Sequence, residues 1–419
     1  MNPSTLTITT ASNFKIARKD PVDEETMIQA ARIIRDIRQN RSEGLRRAIR
    51  QYEGRVDDPI LIERAELEAA YLRLPEETRA VLARTQARIA SFAQAQLDCL
   101  RPLDMSIEGG RAGHELRPVS RVGCYAPGGN YPLPSSVLMT AVTAKVAGVQ
   151  SIIVATPSND DIMLGAAWLA GADHVLWSGG AHAVAALAYG LEEMDAVDMI
   201  VGPGNRWVTA AKALVMGRVG IDMLAGPSEL VVAADETGDP ETIAADLLGQ
   251  AEHDTDAVPI LVTTSQGLAK AVLHACEQQL ARLPTQRIAQ AALQNGSVVL
   301  CASKEEMVDI IIHCAPEHLE IQCAEPARFL RDVQHYGGAF VGTASAEVFG
   351  DYGVGPNHVL PTGGTARYTG GLSVFTFVRV RTWMEMDKPS PGDTYVSDAI
   401  ALANCEGLIG HARSAQARV

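Results

Sequence analysis

The sequence lacks any CxxC pair. Its seven cysteines (Cys99, Cys124, Cys276, Cys301, Cys314, Cys323 and Cys405) are odd in number and scattered. That pattern excludes a thiolate zinc site and a disulfide scaffold, and it fits buried thiols in the cytoplasm. No apolar run reaches about 18 residues, so no transmembrane helix is expected. The opening stretch MNPSTLTITTASNFKIARKD has no apolar core behind a basic start, and a secretory leader is not expected. Basic residues are few, 36 against 50 acidic, for a net charge of −14 over 419 residues. That balance argues against nucleic acid and against an anionic membrane as partners. No GxGxxG follows an apolar run, so that dinucleotide fingerprint is absent as well.

What is present is ample core material, 47% hydrophobic residues, in a length that suggests about three domains. Residues 22 to 100 are rich in Ala, Arg, Glu and Leu at helical spacing, beginning near DEETMIQAARIIRDIR. After Pro118 the texture changes. Seven short β-branched runs (SRVGCYAP, QSIIVATPS, DHVLWSGG, VDMIVGPG, SELVVAAD, VPILVTTS and GSVVLCAS) alternate with Ala-rich helical stretches. Continuous apolar strands so spaced predict βαβ units in one or two doubly wound parallel sheets, covered on both faces. Ligands bind beyond the carboxyl ends of such strands. Those ends are glycine-rich here: APGGN (126–130), SGGAH (178–182), VGPGN (201–205) and AGPSE (225–229). The turns suit phosphate binding and serve equally well as plain tight turns. Beyond residue 336 the chain is loop-rich, which often marks function. It closes on a helical stretch, VSDAIALANCEGLIGHARSAQ, after the linker-like MDKPSPGD.

Four constellations could carry chemistry. In LLGQAEHD, Gln250 and His253 follow a helix opened by Asp239 as N-cap and Pro240 at its first position. Three apart, they share a face and could reach one metal ion, or simply end the helix. Two ligands leave a zinc site half filled. In CAPEHLEIQ, Glu317 and His318 could act as two bases or merely mark a helix-to-strand junction. In FGDYGVGPNHVLPT, Asp351 and His358 lie in a glycine-punctuated loop able to fold over a ligand. In EGLIGHA, Glu406 and His411 are five apart near the end of the chain.

Taken together, VGPGN, AGPSE, QAEHD, PEHLEI, GDY, GPNHVLPT and EGLIGHA resemble, in order and spacing, the histidinol dehydrogenase family from about residue 20 to 419. The resemblance implies an aldehyde-dehydrogenase-like α/β fold of two Rossmann-like doubly wound units with helical ends. It implies an N-terminal arm (1–20), a discontinuous α/β domain (21–124 with 230–373), an inserted NAD-side domain (125–229) and a C-terminal helical tail (374–419). It implies one Zn2+ per subunit on Gln250, His253, Asp351 and His411, and NAD touching Tyr125, His182 and Asn205. The catalytic bases would be His318 for the alcohol proton and Glu317 for water. Ser228, His358 and Glu406, with the zinc ligands and His318, would hold the substrate. The expected reaction takes a small polar primary alcohol through an aldehyde to a carboxylate, L-histidinol to L-histidine. A paralogue acting on 2,3-dihydroxypropane-1-sulfonate, or a zinc metallohydrolase, would share much of this pattern. PVSRVGCYAPGG and ARYTGGLSVFTFVRVRTW look closer to catabolic paralogues, and GGAHA places His182 where biosynthetic members carry a cofactor-contacting glutamine. The family's intertwined homodimer would supply Glu406 and His411 in trans.

Overall fold

The computed structural model describes residues 6–16, 22–56, 58–128 and 132–419. Parts of the expected N-terminal arm (1–5 and 17–20) and the end of the APGGN turn lie outside the described residues. The chain begins with β1 (Thr7–Thr10), α1 (Glu24–Tyr52), β2 (Leu61–Glu63), α2 (Arg64–Arg73) and α3 (Glu76–Asp98). A hairpin of β3 (Leu103–Ile107) and β4 (Gly110–Pro118) follows. Then come β5 (Arg121–Tyr125), α4 (Pro134–Val146), β6 (Ser151–Thr156), α5 (Asp161–Ala170), β7 (His174–Trp177) and α6 (Gly180–Tyr189). After them run β8 (Met199–Val201), α7 (Arg206–Val215), β9 (Gly220–Ile221), β10 (Glu229–Ala234) and α8 (Pro240–Ala251). The next stretch holds β11 (Val258–Thr263), α9 (Gln266–Leu280), α10 (Gln286–Ala292), β12 (Ser297–Leu300), α11 (Lys304–Cys314) and β13 (His318–Gln322). The last part holds α12 (Pro326–Asp332), β14 (Gly338–Val341), α13 (Glu347–Asp351), α14 (Val374–Phe377), β15 (Val378–Met386), α15 (Thr394–Cys405) and α16 (Ile409–Gln416).

Two six-stranded sheets result, with orders β2-β7-β6-β5-β8-β9 and β1-β12-β11-β10-β13-β14. The second is wholly parallel, and in the first only β2 runs antiparallel. All seven apolar runs are strands of these sheets. Leu230 to Ala234 of β10 are buried throughout, as a strand covered on both faces requires. The α/β fold with helical ends is thus as expected.

Local rules explain where the helices begin. Asp23 caps α1 by accepting the Thr26 N–H at 2.8 Å, and Asp239 caps α8 by accepting that of Thr242 at 2.8 Å. Without such acceptors the first N–H groups of a helix stay unpaired.

The N-terminal helices pack on the first sheet. One face carries Ile62, Leu67, Leu82 and Ile89 in a core with Val122, Val137 and Val154; the other carries Ile34, Ile37 and Leu45 with Leu187 and Val208. The expected division grouped residues 21–124 with 230–373 instead. A third, antiparallel sheet, β15-β4-β3, was not read from the sequence. Its outer strands β3 and β15 are largely exposed, and β15 meets β4 across nine register pairs from Val378↔Pro118 to Met386↔Gly110. Among the described residues no helix is long and apolar enough to cross a membrane.

Candidate active site

The site assembles at the second sheet from β13, α8 and the short α13. On β13, His318, Glu320 and Gln322 point to one face, while Leu319 and Ile321 join the apolar core on the other. On α8 and just past it, Asp246, Gln250 and His253 recur at helical spacing on one side. The polar residues of the two elements, all buried except His253, therefore face one another. α13 closes the group: its Glu347 N–H donates to Glu320 Oε1 at 2.9 Å.

Three of the four expected ligands of the metal converge. His253 Nε2 lies 3.5 Å from Asp351 Oδ2. With its amide turned so that nitrogen meets Glu347 Oε1 at 2.7 Å, Gln250 keeps its oxygen as an acceptor. Candidate ligand atoms of His253, Glu347 and Asp351 all lie within 4.8 Å of one another. Glu347 was missed at the sequence level. The fourth expected ligand, His411, is exposed on α16, and Glu406 is exposed at the end of α15. Among the described residues neither side chain forms a hydrogen bond or ion pair with this cluster.

Glu317 and His318, the expected bases, lie beside it. His318 Nδ1 is 3.0 Å from the Glu229 carbonyl oxygen, 3.3 Å from Glu347 Oε1 and 3.6 Å from Glu317 Oε2. Donation from Nδ1 to that carbonyl leaves Nε2 as the acceptor. His318 Nε2 is buried without a hydrogen-bond partner. Burial drives His318 down to about 4, against the pull of Asp351. Glu317 Oε2 accepts the Glu229 N–H at 2.9 Å. Burial, with Glu229 and Asp351 adding to it, holds the Glu317 carboxyl well above the usual range. Glu347 is raised likewise by burial and by Asp351, Glu317 and Glu320. Burial opposes charge on Asp351 too, but its hydrogen bond with His253 and the nearby His358 and His318 bring it below the usual value. The same bond raises His253.

His358 is drawn in by its Nδ1, 2.9 Å from the Asp351 carbonyl oxygen, and lies 3.5 Å from Ser136 Oγ through Nε2. Ser228 sits at the start of β10, where its carbonyl accepts the Val258 N–H at 3.0 Å.

The residues present fit a divalent cation. Glu317, Glu347 and Asp351 crowd together, with like charge raising the first two, and an acceptor nitrogen of His318 stands unused in the same place. Nitrogen and oxygen donors in this mix suit zinc.

The residues expected to touch NAD occupy the other sheet, at the carboxyl ends of its strands. Tyr125 ends β5 and is buried, its hydroxyl oxygen accepting the Gly180 N–H at 3.1 Å. Burial pushes this phenol up to about 12. His182 is buried too, with Nε2 2.8 Å from Glu53 Oε1 and its ring stacked on Tyr52. The same Glu53 oxygen accepts from Ser178 Oγ and the Gly179 N–H, both at 2.9 Å. Burial opposes charge on Glu53, yet the bonds from His182, Gly179 and Arg55 bring it down to about 2. Asn205 is exposed and caps α7 through Oδ1, 3.0 Å from Trp207 N. The N–H groups of Gly179, Gly180 and Gly202 are thus engaged within the protein. A dinucleotide fits the place by topology, since parallel sheets bind ligands at this edge.

Comparison with known proteins gives one consistent answer. The sequence pattern of the histidinol dehydrogenase family matches residues 16–419. The chain is 43% identical to the histidinol dehydrogenase of Thermus thermophilus, over 95% of each chain. It is 41% identical to that of Heliobacterium mobile, over 98% of this chain and 97% of the other. The crystal structure of histidinol dehydrogenase from Elizabethkingia anophelis superposes with a TM-score of 0.92 at 31% identity, covering 99% of this chain and 98% of that one. The chain belongs to the histidinol dehydrogenase family.

Proposed function

We propose that the protein oxidises L-histidinol through the aldehyde to L-histidine, using NAD as hydride acceptor and one zinc ion per subunit. Family membership makes it an NAD-dependent oxidoreductase acting on an alcohol. The observation that carries the mechanism is His318: buried, fixed through Nδ1 to the Glu229 carbonyl, with Nε2 unpaired. A neutral imidazole so held takes the alcohol proton at Nε2 as hydride leaves. In the second half Glu317, with Oε2 engaged by the Glu229 N–H, takes a proton from the water that adds to the aldehyde. Gln250, His253 and Asp351, completed by His411, would hold the metal. When bound, zinc supplies a redox-inert Lewis acid that orients and polarises the substrate. Ser228, His358 and Glu406 are assigned to the substrate; Tyr125, His182 and Asn205 to NAD.

We assign Glu406 and His411 to the site of a second subunit. The tail exposes Leu402, Leu408 and Ile409, and the loop around Asp351 exposes Phe349, Tyr352 and Val354. Two apolar surfaces of this kind support mutual burial in a homodimer. An odd number of scattered cysteines with no CxxC pair supports the cytoplasm as its location.

The test is NADH formation from L-histidinol, with two NADH per substrate consumed. Prolonged chelation should abolish it and zinc should restore it. Turnover of 2,3-dihydroxypropane-1-sulfonate but not L-histidinol would reassign the substrate. Full activity in metal-free protein would remove zinc from the proposal.

A further inference from the structure

An ion pair away from the reacting groups clamps the turn at the carboxyl end of β8. Lys212 is buried in α7 and Asp222 follows β9; their side chains are 2% and 1% exposed and form a short ion pair. Both also bind the backbone of the same residue, Gly202. Lys212 Nζ donates to the Gly202 carbonyl oxygen at 3.0 Å, and Asp222 Oδ2 accepts the Gly202 N–H at 2.7 Å. The other carboxylate oxygen accepts the Met223 N–H at 2.7 Å. Gly202 needs such a hold. Its φ is +110°, and a Cβ there would lie 2.1 Å from the Tyr125 carbonyl oxygen. The turn therefore rests directly on the backbone of Tyr125 and leads within three residues to Asn205.

We propose that Lys212 and Asp222 are positioning residues for NAD: they hold the 202–205 turn in its binding conformation before the cofactor arrives. The proposal rests on the assignment of Tyr125 and Asn205 to NAD. The physical reason is preorganisation. A turn with a left-handed glycine is ordered in the free protein by a buried ion pair, so NAD binding does not have to order it. Neither side chain is assigned to substrate, cofactor or metal.

The test compares Asp222→Asn with the double variant Lys212→Met/Asp222→Asn, which leaves no charge buried alone. In the double variant the dissociation constant for NAD, measured by titration calorimetry, and KM for NAD should each rise by about tenfold, while kcat stays within about threefold. Zinc content and KM for the alcohol should not move. Asp222→Asn alone, which leaves the Lys212 charge buried without its partner, should show a rise at least as large. Unchanged NAD affinity in a folded double variant overturns the proposal. Asn205→Ala is the control for the underlying assignment. If it too leaves NAD affinity unchanged, the NAD assignment has failed rather than the clamp. Hydrogen exchange on the wild-type protein needs no variant to fold. The Gly202 amide should exchange slowly without NAD, and NAD should add little protection. Fast exchange that slows only with NAD shows a turn ordered by the cofactor and refutes the clamp.

Discussion

Glu317 and His318 are neighbours in the chain, yet burial moves them in opposite directions. It disfavours the charged form of each, so the imidazole becomes a weaker base and the carboxyl a weaker acid. The proposed reaction gives them separate steps, and variants can tell these apart. Glu317→Gln should leave one hydride transfer per site in a rapid-mixing burst and slow overall turnover by about 10² to 10⁴. His318→Gln should suppress the first hydride itself. Equal loss of the burst in both variants would mean that the two act as one acid–base unit. Behind them, burial and the neighbouring Asp246 raise Glu320 to about 8. A carboxyl raised in the folded state binds its proton more tightly there than in the unfolded chain. Its contribution to stability is therefore complete below the ordinary carboxyl pKa near ~4.5 and is lost as pH rises through about 8. Urea denaturation of zinc-free protein should show the wild type losing more stability between pH ~5 and pH ~9 than Glu320→Gln. The difference should be on the order of 4 kcal/mol. Parallel declines would show that Glu320 does not carry the raised proton.

At the scale of elements, α13 is only five residues long and cannot hold itself. It is tied at its start by the Glu347 N–H to Glu320, and after its end by Gly353. There the carbonyl oxygen accepts from Arg88 Nε at 2.9 Å, so the loop is pinned to α3. Gly353 has φ +77°, and a Cβ would lie 2.5 Å from Thr85 Cγ2. Gly353→Ala should destabilise the protein by more than about 1 kcal/mol. It should also weaken zinc affinity in a chelator competition, because Asp351 rides on this loop. Gly392→Ala, where a Cβ would meet nothing within 4 Å, is the control and should change neither. Unaltered zinc affinity in Gly353→Ala would separate the loop's anchoring from the metal site.

For the whole molecule, the expected outcome is complementation. His411→Ala and His318→Gln subunits, each inactive alone, should recover about a quarter or less of wild-type activity when unfolded and refolded together. Random pairing makes about half the dimers mixed, and each mixed dimer has one intact site. Mixed dimers without activity would place His411 in the site of its own chain.

The sequence by itself determined what short-range physics encodes. Continuous β-branched runs could pack only as strands buried on both faces, Asp239 and Pro240 could only open a helix, and the ordered motifs identified the family. Gln250, His253, Asp351, Glu317 and His318 were legible for that reason. Tertiary structure decided the rest. Glu347 is one acid among 50, on a helix too short to show a period, and only folding brings it against Gln250 and His318. His182 meets Glu53 from 129 positions away, and β15 finds β4 across most of the chain. The N-terminal helices chose the first sheet by the fit of apolar faces. Such pairings depend on register and burial between distant segments, and no local propensity, cap or spacing carries that information.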